Sequence, residues 1–139
     1  MLRDYWRLFL CVSVLLLGGC GSSENLRIAK EATTHVHAQM DSEQFTQIYS
    51  EADDALRAAT KQQDFLAFVS AVHRKLGRVQ NASQTSFFVN FSTSGTRVRL
   101  NYQTKFDGGD AQEEFIWKIK GDQAALVGYH INSTALITK

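Results

Sequence analysis

The chain has 139 residues, with 15 Lys plus Arg against 14 Asp plus Glu, no proline and two cysteines. So even a charge balance argues against a nonspecific nucleic-acid binder, which needs a basic surface. The length fits one domain that buries roughly 60–70% of its unfolded surface without disulfide staples.

The chain opens with Arg3 and Arg7 and then runs apolar from Leu8 to Leu17. A spanning helix needs about 20 apolar residues, so this run is too short and has the proportions of a secretory signal. It ends in Leu17-Gly18-Gly19-Cys20, followed by the polar Gly21-Ser22-Ser23-Glu24. These residues resemble the lipobox of bacterial lipoproteins. The resemblance implies cleavage before Cys20, acylation of its thiol and new amino group, and anchorage by several chains where one would hold only marginally. Residues 1–19 are then a signal peptide, 20–24 a lipidated tether, and 25–139 a single domain. Gly21 stands where an inner-membrane retention signal has Asp, so the expected address is the outer membrane, facing the periplasm. Cys11 leaves with the signal, and the acylated Cys20 can serve neither as nucleophile nor as metal ligand.

Leu26, Ala29, Thr33, Val36 and Met40 recur at steps of three and four, predicting a helix over about Asn25–Met40. A shorter segment carries Phe45, Ile48 and Tyr49. Ser50-Glu-Ala-Asp53 and Thr60-Lys-Gln-Gln63 have the form of capping boxes and predict two further helix starts. The last helix has the face Phe65, Phe68, Val69, Val72 and Leu76, and Gly77 is its stop.

Beyond Gly77 the period becomes two. Phe87, Val89 and Phe91 alternate with polar neighbours up to a turn at Ser94-Gly95. Val98, Leu100, Tyr102, Thr104 and Phe106 then alternate with Arg97, Arg99, Asn101, Gln103 and Lys105. Asp107-Gly-Gly-Asp110 predicts a type I′ turn that sets Tyr102 against Phe115 and Leu100 against Trp117. The last strand follows a turn near Gly121-Asp122. A two-residue turn places Leu126, Gly128 and His130 beside Trp117, and a three-residue turn places Val127, Tyr129 and Ile131 there. The second buries more apolar groups and is favoured, while Gly128 suggests a bulge. The expected fold class is α+β: N-terminal helices on a four-stranded antiparallel meander.

Phe106-Asp-Gly-Gly-Asp-Ala-Gln-Glu-Glu-Phe-Ile-Trp117 and Leu126-Val-Gly-Tyr-His-Ile-Asn-Ser133 resemble a bacterial domain family of unknown function. The resemblance extends over about Phe45–Ile137 and implies a cystatin-like or NTF2-like fold. It brings no catalytic motif, and such scaffolds host both pocket proteins and pure binding modules.

Few clusters here suit chemistry. On a helix His35 and His37 point about 200° apart, so they do not grip one metal. Ser70 and His73 share a helix face without a strand-turn-helix elbow or an orienting carboxylate. Glu113 and Glu114, adjacent in a strand, face opposite sides. His130, with Tyr49, Tyr102 and Trp117, makes a candidate small pocket, and Arg97, Arg99, Lys105, Lys118 and Lys120 form a basic stripe on the outer sheet face. No catalytic residue, metal or cofactor is expected. The expected function is a lipid-anchored, noncatalytic binding module for an envelope protein or small ligand, and the alternative is a small-molecule or weakly hydrolytic pocket protein.

Overall fold

The structure is a computed structural model that describes residues 20–138. The expected signal peptide therefore lies outside the described residues. Among the described residues four helices come first: α1 (Cys20–Asp41), α2 (Phe45–Glu51), α3 (Asp54–Ala59) and α4 (Gln62–Leu76). Four strands follow as an open antiparallel meander in the order β1-β2-β3-β4: β1 (Val79–Ser92), β2 (Gly95–Phe106), β3 (Gly109–Lys120) and β4 (Gln123–Asn132). A short α5 (Thr134–Thr138), which the periodicity did not signal, ends the described chain. The architecture is α+β, as the change of period predicts.

The first helix starts earlier than its apolar stripe. Among the described residues it runs from Cys20 and takes in Gly21–Glu24, and Arg27 binds both Glu24 and Glu31 along one exposed face. Such i,i+3 and i,i+4 pairs support a polar turn that periodicity alone leaves out. Its inner face buries Ile28, Ala29, Thr33, Val36, His37 and Met40 against the sheet.

Both expected capping boxes are corrected. Ser50 donates to Gln47 instead, and the cap of α3 is Asp53, whose carboxylate accepts from the Ala55 N–H at 2.9 Å. Thr60 closes α3, and α4 starts after Lys61 with no side-chain cap. Asp53 outcompetes the serine because its charge also favours the helix N-terminus. The end of α4 is as expected, with Gly77 at φ 74° and its N–H on His73 O.

The central hairpin keeps the expected face and shifts its register by two residues. Its turn is Asp107-Gly108, so Val98 pairs with Trp117, Leu100 with Phe115 and Tyr102 with Glu113. Neither turn residue has positive φ, so this is not a type I′ turn. Docking onto α4 explains the choice: the Gly108 N–H donates to Leu76 O at 2.7 Å, Asp107 N–H to Arg78 O, and the Asp107 carboxylate accepts from Arg78 N–H. A Cβ on Gly108 would sit 2.6 Å from Lys75 O, so the turn reaches the helix end only as glycine. A two-residue shift preserves the face because the side-chain period is two.

The last hairpin reconciles both candidate registers. Its turn is the two-residue one, with Lys120 opposite Gln123 and Trp117 opposite Leu126. A bulge at Val127 then changes the parity, so Tyr129 pairs with Phe115 and Ile131 with Glu113. Val127 is thus not beside Trp117, whereas Tyr129 and Ile131 do reach the inner face. The core fills the space between α1, α4 and the sheet with Val69, Val72, Leu76, Leu100, Phe115 and Trp117 at its centre.

Candidate functional site

Three places on the described residues gather polar chemistry. The first is buried. Glu113 occupies an inner-face position of β3, where alternation surrounds it with Ala111, Phe115 and Trp117. Its carboxylate accepts from three donors: His37 Nε2 at 2.9 Å, Thr104 Oγ1 at 2.5 Å and Tyr129 Oη at 2.6 Å. The carboxylate is an acceptor only, so the His37 nitrogen facing it must carry the proton. The acid side chain is wholly buried and that of His37 is 8% exposed. Burial opposes ionisation of Glu113, but the His37 bond and charge, with the Thr104 and Tyr129 hydroxyls, hold its pKa below the ordinary carboxylate value. Burial, then the neighbouring carboxylate, pushes the Tyr129 phenol well above its ordinary value, so Tyr129 remains a donor. Aromatic rings close the rest of the shell, with Phe115 5.4 Å and Tyr102 6.3 Å from the His37 ring in edge-on contact.

The second place is a groove of about 510 Å³ on the outer sheet face. Two ladder rows line it: Asn101, Glu114 and His130 in one, Gln103, Gln112 and Asn132 in the next. Glu114 also approaches Arg99 Nε at 3.6 Å. Lys118 similarly lies 3.6 Å from Asp53. Two cations of the expected basic stripe are therefore paired with acids, which weakens the stripe as an anion site.

The third is a cleft of about 330 Å³ where α3 and the start of α4 meet the outer edge of β4. Its walls are mostly apolar, including Phe65, Phe68, Ile116 and Tyr129, and Asp64 and His130 bring polar tips.

Of the four residues expected to share a pocket, His130 and Tyr102 both border the outer groove, while Tyr49 and Trp117 lie elsewhere. His130 is exposed on the outer face, at the groove and at the mouth of the cleft. Tyr49 packs its ring 5.5 Å from Phe65 and donates to Thr60 O at 2.8 Å. Tyr102 is buried on the inner face against His37 and Phe115. Trp117 is 3% exposed, stacks parallel to Phe115 and donates from Nε1 to Thr33 Oγ1 at 3.0 Å. The histidine that hydrogen-bonds to a buried carboxylate is His37. Of the pairs considered from sequence, Glu113 and Glu114 do face opposite sides, and His35 lies 3.7 Å from Glu51, away from His37's partner. Ser70 accepts from Arg74, while His73 sits 3.4 Å from Glu43.

The family described as "Protein of unknown function (DUF4019)" matches residues 32–129, from the middle of α1 to Tyr129. The chain belongs to the DUF4019 family. Its match begins before, and ends before, the Phe45–Ile137 span of the resemblance read from the sequence. This DUF4019 domain thus takes in every member of the buried network and all four strands in whole or part. No curated protein matches the chain.

Proposed function

We propose that this DUF4019 protein is a lipid-anchored envelope protein of cystatin-like or NTF2-like fold that binds its partner, without catalysis, on the outer sheet face. One observation carries the reading: six outward polar side chains, Asn101, Gln103, Gln112, Glu114, His130 and Asn132, stand in two adjacent rows over one open groove. Four of them are amides, each offering donor and acceptor, so they suit a neutral surface rich in hydroxyls and amides. The long α1 lying across an antiparallel sheet supports the fold reading. The lipobox at Leu17–Cys20 supports an anchor at Cys20 and an outer-membrane address facing the periplasm.

The buried network supports a structural role for its acid and histidine. All three donors of Glu113 are internal, and a catalytic group must reach substrate within hydrogen-bond distance. A second reading, a small-molecule binder, is favoured by the third site, where an apolar cleft ends in Asp64 and His130.

Two measurements test the proposal. Mass spectrometry of the mature protein should show acyl mass on Cys20 and no residues 1–19; an unmodified Cys20 or a retained leader rejects the anchor. A photocrosslinking residue at Gln112 should give a discrete adduct in the native envelope, lost when Gln103→Arg and Asn132→Arg crowd the groove. If the adduct is absent at Gln112 and appears from Asp64 with a small molecule, the cleft reading replaces the groove.

A further inference from the structure

The first strand lies at an edge of the sheet, and its fourteen residues include no charged side chain and no proline. Proteins normally blunt such an edge with charge, proline or a covering element. Register shifts at Gln80 and Thr85 interrupt the first half of β1, but beyond them the opposite holds: Phe87, Phe88 and Phe91 are 55%, 62% and 59% exposed. The free backbone groups can be assigned from the hairpin. Ser92 and Gly95 close the two-residue turn, and such a closing pair exchanges both its hydrogen bonds within the hairpin. Alternation then turns the N–H and C=O of Phe91, Val89 and Phe87 away from β2, where no described strand lies.

We infer that β1 is a homodimerisation edge, at which two copies of this chain pair antiparallel through Phe87–Phe91 about a two-fold axis at Val89 and form one eight-stranded sheet. The segment is self-complementary about that axis. Val89 faces Val89 of the second copy, and Phe87 faces Phe91 of the second copy, so every outward N–H and C=O of the three residues finds a partner. The facing Phe side chains share the helix side of the sheet and meet as cross-strand aromatic pairs, while Phe88 covers the other side.

Charge permits this register. Neither edge carries a charge, and the arginines of β2 would stand about 14 Å from their copies, three strand spacings, which exceeds the screening length at physiological salt. A lipid surface fits these groups poorly. Phe88 points away from Phe87 and Phe91, and hydrocarbon would leave the outward backbone groups unpaired. A foreign strand would have to match the same alternation with no charge on the edge to select it, whereas the second copy matches by symmetry.

The test uses the full chain carrying Val89→Cys, oxidised beside the unsubstituted chain and beside Gln123→Cys on the far hairpin. Facing Val89 positions lie within disulfide reach, since a hydrogen-bonded antiparallel pair has a Cα separation of about 5.5 Å. The expected product is a species of twice the chain mass that requires the Val89 thiol and does not form from Gln123→Cys. Phe87→Lys should lower its yield by more than about tenfold, because two charges then enter the paired strands, and sedimentation of the variant without the new cysteine should show a folded monomer. A Val89→Cys chain that stays monomeric, or a dimer that survives Phe87→Lys, overturns the proposal. So does a crosslink to a different protein at Val89, and so does loss of vesicle binding in Phe87→Lys while the oligomeric state is unchanged.

Discussion

The two edges of the sheet are built on opposite plans. On β4 the Asp53 N–H donates to Leu126 O at 2.9 Å, α3 packs alongside, Lys118 reaches Asp53, and the Val127 bulge breaks the ladder. On β1 register shifts at Gln80 and Thr85 interrupt the first half, but from Ser86 to Ser92 none of these devices appears among the described residues, and apolar rings take their place. A bulge, a charge and a covering helix are the standard means of stopping strand addition, so the Ser86–Ser92 segment, which lacks all three, is shaped to accept a strand. The difference also shows where stability resides: β3 and β4 hold the buried network, and the far half of β1 holds little.

The largest effects should therefore fall on the β3–β4 side. Trp117→Ala removes a buried ring and its bond to Thr33, and should cost about 3–5 kcal/mol in denaturant unfolding. Glu113→Ala should cost a similar amount, about 3–5 kcal/mol, because it strands His37 and two hydroxyls in the core. Its acid dependence is separable. With its folded pKa below the ordinary value, Glu113 contributes stability that is fully present above its unfolded pKa of about 4.3 and is lost as pH falls through the folded one. Unfolding measured from pH 5 downward should thus be steeper in the wild type than in Glu113→Gln. Asp53→Ala, which removes a helix cap and the partner of Lys118 beside the guarded edge, should cost about 1 kcal/mol. Phe88→Lys on the open edge should change the stability of the monomer by less than about 0.5 kcal/mol. A large loss there would mean that β1 is held by contacts within one chain.

How much of this was legible in the sequence depends on which force decided each feature. The helix faces and the alternation in β2 are set by solvent, which acts on every residue, so Val69, Leu76, Leu100 and Trp117 read correctly as core. Local chemistry read less well: the hairpin turn moved because Gly108 docks on the carbonyls of α4, a contact with no local signature. The register of β4 failed for a related reason. Either simple turn implies a uniform strand, whereas the bulge beside Gly128 lets Leu126 and Tyr129 each face inward. The buried site does have a signal in the sequence. Glu113 stands at a core parity in β3, and His37 follows Thr33 by one helical turn, so an acid at that depth required a partner and this histidine was within reach. His130 stands among aromatic neighbours in the sequence, but the parity change that turns Tyr129 inward turns His130 out.

The contrast between the edges is tested most directly by native-state hydrogen exchange of the full chain at rising protein concentration. The amides of Phe87, Val89 and Phe91 should exchange freely at low concentration and become protected together as concentration rises, while amides at the β4 edge keep one rate throughout. Protection at Phe87, Val89 and Phe91 that is already present in the dilute monomer, or that never responds to concentration, would contradict the account.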